Sequence, residues 1–138
     1  MKITEVAKPS DEEFETLKFG LNGFNEFYTG LLYRETVSSF VKDNNDKTVG
    51  GILGEIKWGW LYVQGLWIYE PLRSKGLGAE LLNHLEEFAL SKGIRNYRLE
   101  TTSFQALGFY KKHGYEVFGQ LDDMPPGYTS FFLKKQID

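Results

Sequence analysis

The sequence predicts an α/β fold in which one mixed, mostly antiparallel sheet of six to seven strands carries helices on both faces. The order of the patterns supports this, because a strand and helices precede three strands, and a helix, a strand, a helix and two strands follow. A length of 138 residues favours a single domain over residues 1–138. Hydrophobic residues make up 41% and aromatic residues 16% of the chain, which excludes a disordered protein.

The first part of the chain predicts a strand and then helical structure. Alternating apolar residues over 2–7 indicate the strand. Pro9, with Ser10 or Asp11 as the N-cap and acidic residues in the first turn, predicts the start of a helix. The aromatic segment 22–35 is interrupted by glycines, so it predicts a short helix followed by a loop.

Three strands are predicted next. Residues 36–43 and 48–57 are rich in β-branched and apolar residues, and the polar segment 44–47 between them is typical of a hairpin turn. The aromatic and β-branched segment 58–70 predicts a long third strand, in which Gly65 is a candidate bulge.

A further helix is predicted after a glycine-rich stretch. Its apolar residues recur at helical spacing and Gly93 ends the pattern. These residues are Leu77, Leu81, Leu85 and Phe88. The rest of the chain predicts a strand, a short helix and two final strands, over 95–102, 104–114, 115–121 and 128–135.

Composition excludes several classes of function. The net charge is −3 and no basic run is present, so we expect no nucleic-acid partner. The absence of cysteine excludes disulfides, thiolate nucleophiles and cysteine-bound zinc, and with only two histidines, His84 and His113, we expect no metal. No apolar run is long enough for a membrane span, and residues 1–14 lack the apolar centre of a signal peptide, so we expect a cytoplasmic protein.

The stretch PLRSKGLGAELL (71–82) predicts an anion-binding helix start. The N-terminus of a helix leaves backbone N–H groups unpaired and carries a partial positive charge. Gly76 and Gly78 have no Cβ, so a phosphate can approach the backbone closely, and Arg73 and Lys75 add positive charge. We therefore interpret the stretch as a pyrophosphate site.

Two other interpretations of this stretch stay open on the residues alone. Glycines before a helix commonly form only a turn. A dinucleotide-binding fingerprint is the other alternative, since Glu100 ends the next predicted strand where a ribose-binding acid would lie. Leu81 occupies the position of the third glycine of that fingerprint, and a P-loop pattern is absent.

The segments RSKGLGA (73–79) and SFQALGFYKKHGYEVFG (103–119) match two spaced patterns, R/Q-x-x-G-x-G/A and N-x-x-A-x-x-x-Y. Together, in this order and within these elements, they resemble the GNAT superfamily of N-acetyltransferases. Ala106 and Tyr110 fall at the matching spacing, whereas Ser103 stands where many members have asparagine. The resemblance implies the GNAT fold, with a splayed parallel pair of central strands.

The resemblance further implies that acetyl-CoA is the cosubstrate and lies between strands 61–68 and 95–102. The coenzyme's pantetheine arm would bind the backbone of the first strand, and its pyrophosphate would bind the amides of the glycine-rich stretch. The implied cofactor-binding residues are Leu66, Trp67, Ile68, Arg73, Ser74, Lys75, Gly76, Leu77, Gly78, Ala79 and Ser103.

The implied chemistry is the direct attack of a neutral amine on a thioester. Tyr110 matches the acid that protonates the leaving sulfur. An amine is mostly protonated at neutral pH, so a base must accept one proton, and we prefer Glu55 over Glu70 for that role. A backbone N–H of Trp67 or Ile68 would stabilise the developing oxyanion.

Aromatic residues come from the segments that border the acceptor in similar proteins, and aromatic faces attract cations. They are Trp58, Trp60, Tyr62, Phe27, Tyr28 and Tyr33. We expect a small amine or a peptide terminus as acceptor, and a homodimer by analogy. The alternative functions are a non-catalytic acyl-CoA sensor or interaction module, and a nucleotide-binding protein.

Overall fold

The computed structural model describes all 138 residues and divides into two compact units, residues 1–32 and 33–138. The helices are α1 (Asp11–Thr29), α2 (Leu77–Ser91) and α3 (Leu107–Lys112), with a 3-10 turn at Glu70–Leu72. The strands are β1 (Glu35–Lys42), β2 (Thr48–Lys57), β3 (Trp60–Ile68), β4 (Asn96–Thr102), β5 (Glu116–Asp122) and β6 (Thr129–Gln136). No helix is both long and apolar enough to cross a membrane.

The first unit contains one continuous helix. The predicted start is confirmed, since the Ser10 hydroxyl accepts from the Glu13 amide at 3.1 Å and the Glu13 carboxylate accepts from the Ser10 amide at 2.9 Å. The predicted break after residue 21 is wrong, because α1 continues through Gly23. The strand predicted over 2–7 is also wrong, because alternation without a pairing partner forms no ladder.

The second unit is built on one six-stranded sheet with the order β1-β2-β3-β4-β6-β5. β3 and β4 pair in parallel, and every other neighbouring pair is antiparallel. This arrangement confirms the predicted mixed sheet. The parallel pair is joined by α2, since parallel strands require a crossover connection.

Two tight turns connect the first three strands. In the β1–β2 turn, the Asp43 carboxylate accepts from the amides of Asn45 and Lys47 at 2.8 and 2.9 Å, as the polar composition predicted. In the β2–β3 turn, Trp58 and Gly59 have φ values of 54° and 81°, typical of a two-residue hairpin turn. The prediction that Trp58 lies in the strand is therefore wrong.

The core lies between one face of the sheet and α2 with α3. The side chains with less than 2% exposure are Tyr97, Ile52, Ile56, Leu61, Leu82 and Leu133. Helix α2 approaches the sheet closely over Gly54, where a Cβ would lie 2.9 Å from the Tyr62 carbonyl oxygen and 3.0 Å from Leu85 Cδ2. A side chain at this position would therefore push α2 away from β2.

The buried carboxylate of Glu86 holds α2 in place over the half of the sheet that contains β6. Glu86 is only 7% exposed, and it accepts from the Tyr115 hydroxyl at 2.9 Å and from Lys135 Nζ at 2.7 Å. The Tyr97 hydroxyl donates to the Glu86 carbonyl at 3.2 Å. Burial, together with the Glu86 carboxylate, raises the pKa of Tyr115. These bonds join α2 to β4, to β6 and to the residue before β5.

Replacing Leu61, at 0% exposure, with alanine should lower the free energy of unfolding by about 2–5 kcal/mol, because the change leaves a cavity in the core. Leu53, on the neighbouring strand, is 43% exposed, so Leu53→Ala is the matched control and should lose about 1 kcal/mol or less. Urea denaturation followed by circular dichroism measures both values. Equal losses in the two variants would contradict the assignment of Leu61 to the core.

Candidate active site

The two parallel central strands separate part of the way along their length. Cα pairing of β3 with β4 runs from Trp60 opposite Asn96 to Val63 opposite Leu99 and then stops, although β3 continues to Ile68. The ends of the two strands, residues 64–68 and 100–102, therefore border a V-shaped opening, which we call the cleft. The splayed pair implied by the sequence resemblance is present.

A β-bulge in β3 lies at the start of the cleft. Gly54 of β2 is opposite Val63 and Leu53 is opposite Gly65, so Gln64 is the extra residue, next to the predicted Gly65. A bulge bends its strand and strengthens the local twist. The bulge therefore explains why β3 turns away from β4 at this point while it stays paired with β2 on its other side.

The cleft edge of β3 presents backbone groups that no strand occupies. The Tyr69 amide donates to the Val49 carbonyl of β2 at 2.8 Å, so alternation directs the polar groups of Leu66 and Ile68 towards the cleft. The same alternation directs those of Trp67 towards β2. Of the two residues predicted to supply an oxyanion donor, Ile68 thus has the suitable orientation and Trp67 does not.

Residues 73–79, which we call the glycine loop, end at the first turn of α2. Gly76 is the N-cap of α2 with φ 84°, and Ser74 also has a positive φ of 64°. The Glu80 amide is the first of the helix to be bonded, to the Gly76 carbonyl at 3.0 Å, and no protein acceptor takes the amides of residues 74–79. Consecutive free amides at a helix N-terminus are suited to binding an anion.

Two contacts bring the glycine loop to the cleft. Arg73 Nε donates to the Ile68 carbonyl at 2.8 Å, so its guanidinium is held at the end of β3. This is the side chain that the sequence predicted at the edge of a phosphate site. A Cβ added at Gly78 would lie 3.6 Å from Phe109 and 3.9 Å from Leu66, so α2, α3 and β3 meet at this glycine. Lys75 is exposed beside them.

Tyr110 of α3 has a buried ring and an unbonded hydroxyl. Its residue exposure is 7%, and its ring packs edge-on against Phe109 and Tyr115 at centroid distances of 5.2 and 5.9 Å. Its hydroxyl has no protein hydrogen-bond partner, but unlike a fully buried atom it is still accessible to solvent. Burial raises the pKa of Tyr110, so the phenol keeps its proton at neutral pH and can donate it.

Hydroxyl side chains end β4 beside the cleft. The predicted coenzyme contact Ser103 uses its Oγ to accept from the Thr129 amide at 3.2 Å, which joins the end of β4 to β6. Its neighbour Thr102, which the sequence did not indicate, has a buried Oγ1 with no hydrogen-bond partner. The sequence offered no signal for Thr102, because its isolation depends on the surrounding packing.

The sheet face opposite α2 carries a cavity of about 450 Å³, which we call the sheet-face cavity. It is lined by Glu55, Lys57, Trp58, Trp60, Tyr62, Arg98, Phe118 and Lys134. Glu55 forms an ion pair with Arg34 at 3.7 Å. Because Glu55 and Tyr110 lie on opposite faces of the sheet, the two predicted catalytic residues do not contact each other, and the cleft is the opening between the two faces.

The structure brings together only some of the predicted acceptor residues. Three of the six aromatic residues line the sheet-face cavity, whereas Tyr33 lies 5.9 Å from Lys92 Nζ, outside it. Phe27 and Tyr28 belong to α1 in the first unit. The alternative base Glu70 is exposed in the 3-10 turn.

Neither histidine lines the cavity. His84 is exposed beside Ser39, and His113 ends α3 with its ring 4.6 Å from Phe109. Four lining residues were not predicted from the sequence, namely Lys57, Arg98, Phe118 and Lys134. Alternation along β4 indicates that Arg98 faces away from the core, but only the cross-strand register places it beside Tyr62.

Comparison with known proteins gives consistent matches. Residues 3–115 match the sequence profile of the acetyltransferase (GNAT) family. The chain is 35% identical over 104 residues to a blasticidin-S acetyltransferase from Streptomyces morookaense, covering 75% of this chain and 76% of that protein. It is 33% identical to an acetyltransferase of known structure from Bacillus cereus, with a TM-score of 0.85, covering 97% and 98% of the two chains.

A more distant structure shares the fold and holds a ligand. An aminoglycoside 6'-N-acetyltransferase, solved in complex with coenzyme A, superposes with a TM-score of 0.66 at 19% identity. The overlap covers 94% of this chain and 82% of that one.

The Tyr110 hydroxyl should remain protonated at pH 10.0, the ordinary pKa of tyrosine, because burial raises its pKa. Carbon-13 labelling of tyrosine Cζ measures this, with the Tyr110 resonance assigned by its absence in Tyr110→Phe. At pH 10.0 the resonance should have moved less than half of the way to its deprotonated position. A titration midpoint at or below that pH would show that the hydroxyl is fully solvated.

Proposed function

Since the chain belongs to the GNAT family of acetyltransferases, we propose that it transfers the acetyl group of acetyl-CoA directly to a primary amine of a small molecule or peptide. The observation that carries the proposal is the run of unbonded amides at residues 74–79, next to the separated ends of β3 and β4. The chain contains no cysteine, so no thiol is available to carry the acetyl group between donor and acceptor.

The residues around the cleft fit the coenzyme. The free amides of 74–79 would hold its pyrophosphate, and the cleft-facing groups of Leu66 would pair with the pantetheine arm as an added strand does. The Ile68 carbonyl accepts from Arg73, so Ile68 would offer only its amide. Thr102 Oγ1 is a further unpartnered group beside the cleft. When bound, the coenzyme supplies the acetyl group as a thioester.

Tyr110 supplies the proton for the leaving sulfur in this proposal. Its ring is fixed by Phe109 and Tyr115, and its hydroxyl is protonated and free to donate. Tyr110 would donate its proton to the leaving sulfur as the amine nitrogen bonds to the acetyl carbon and the carbon–sulfur bond breaks, and the phenol would be reprotonated from solvent. Ile68 presents its amide to the cleft for the carbonyl oxygen.

Glu55 receives the proton of the amine in this proposal. It lines the sheet-face cavity, whereas Glu70 is exposed on the turn before the glycine loop. The Arg34 ion pair at 3.7 Å orients the Glu55 carboxylate. The acceptor would thus enter from the face opposite α2, and the coenzyme would approach from the side of the α2 N-terminus.

Gly76→Asp should weaken coenzyme A binding at least about tenfold, because it adds a negative charge where the pyrophosphate would bind. It also places a residue with a side chain in a left-handed backbone conformation, which is strained. Gly93 is the matched control, since it lies just beyond the other end of α2 with φ 79° and equally open space. Isothermal titration calorimetry should show nearly wild-type affinity for Gly93→Asp. Equal affinities of the two variants would place the pyrophosphate elsewhere.

Tyr110→Phe should lower kcat by about 10²-fold and change coenzyme A affinity by less than about twofold, because only proton donation is lost. Thiol release against a panel of amines measures kcat, and calorimetry measures affinity. A parallel loss of affinity and turnover would exclude the acid role, and coenzyme binding by the wild type without turnover of any amine would indicate a sensor.

A further inference from the structure

We propose that the sheet-face cavity selects an acceptor that carries a carboxylate as well as its amine, with the amine near Glu55 and the carboxylate at Arg98 and Lys134. This inference rests on the proposed function, because it assigns a substrate class to the same site.

The cavity is positively charged, whereas the chain as a whole is negatively charged. Three cations, Lys57, Arg98 and Lys134, line it against the single carboxylate of Glu55, whereas the whole chain has a net charge of −3. A concave surface concentrates the field of its charges, so this cavity attracts anions to a protein that otherwise repels them. A plain amine or polyamine would be repelled by the same three cations.

None of the three cations is neutralised by a protein carboxylate. The chain forms only two ion pairs, between Arg34 and Glu55 and between Lys135 and Glu86. The one carboxylate of the cavity is therefore paired with an arginine that is not among the lining residues. The cationic groups remain available to a ligand, and a carboxylate fits the fork of an arginine side chain in a bidentate manner.

Arg98 is held in place by an aromatic ring. Its guanidinium carbon lies 4.0 Å from the centroid of the Tyr62 ring, and the Tyr62 hydroxyl donates to Glu100 at 3.3 Å. The Arg98 guanidinium donates no hydrogen bond to the protein, so stacking orients it while its N–H groups stay free. A side chain oriented in this way loses little further freedom when an anion binds.

The charges lie in one row that crosses five strands. The register places Glu55 opposite Tyr62, Tyr62 opposite Arg98 and Arg98 opposite Lys134. Glu116 of β5 follows opposite Lys134, but it does not line the cavity and forms no ion pair with Lys134. Neighbouring strands are ~4.8 Å apart, so about 10 Å separates the backbone at Glu55 from the backbone at Arg98. The row lies one pair before the cleft begins at Val63 and Leu99, so an amine at the Glu55 end stays close to the donor.

The body of the ligand would lie on aromatic surfaces. Trp58, Trp60 and Phe118 line the cavity beside Tyr62. Aromatic side chains contact flat groups over a large area with little loss of conformational freedom. The row and these walls together favour a flat or elongated molecule with its amine and its carboxylate at opposite ends.

The test compares 4-(aminomethyl)benzoic acid with its methyl ester, which has the same amine and ring but no negative charge. With the wild type, kcat/KM from acetyl-CoA-dependent thiol release should be at least about tenfold higher for the acid. Arg98→Gln, and separately Lys134→Gln, should reduce that ratio to about two or less. Because both side chains lie on the exposed sheet face, neither change enters the core.

The matched control is Arg95→Gln. Arg95 is an exposed arginine just before the same strand, and it donates to the Asp138 carbonyl instead of lining the cavity. This variant should keep the wild-type preference for the acid. Turnover of the ester that equals or exceeds that of the acid in the wild type, or an unchanged ratio in Arg98→Gln, would overturn the inference while leaving acetyl transfer intact.

A binding measurement separates this inference from the proposed function. The acid should quench the fluorescence of the cavity tryptophans, Trp58 and Trp60, and Arg98→Gln should weaken its apparent affinity at least about fivefold. If neither compound releases thiol but this quenching is seen, the proposed function fails with these amines and the anion site stands. If the acid causes no quenching in the wild type, the anion site is refuted.

Discussion

The separation of β3 from β4 is the constraint on which the rest of the site depends. Cα pairing of the two strands ends at Val63 and Leu99, although both strands continue. Backbone groups left without a strand partner need another one, so a cleft that stays open requires a ligand or water along its edge. The bulge at Gln64 bends β3 without breaking its pairing with β2, which keeps the cleft edge rigid.

The two faces of the sheet have different roles around this cleft. On one face, α2 starts with its free amides beside the cleft, α3 carries Tyr110, and both helices contribute to the hydrophobic core. On the other face, the row from Glu55 to Lys134 carries exposed charge. In the proposed reaction, the two substrates would approach the sheet from opposite sides and meet at the cleft, because the strands separate just beyond this row.

The position of α2 relative to Tyr110 depends on buried contacts outside the cleft. Glu86 joins α2 to β6 through Lys135 and to Tyr115, whose ring packs against Tyr110. The Tyr115 amide also donates to the Tyr110 carbonyl at 3.1 Å, which closes the end of α3. A buried carboxylate is stable only when its partners are in place, so this cluster favours one position of α2 relative to Tyr110.

The sequence by itself determined the succession of strands and helices from residue 36 onwards, the glycine-rich helix start and the placing of Tyr110 on a short helix, because local periodicity and spaced motifs encode them. It determined less about the N-terminal segment, where alternation over residues 2–7 found no strand to pair with and where α1 continued through its glycines. Tertiary structure alone decided the bulge at Gln64, the meeting of Tyr62 with Arg98 and the isolation of Thr102 Oγ1. Cross-strand register and burial are properties of segments distant in the chain, so no local pattern could supply them.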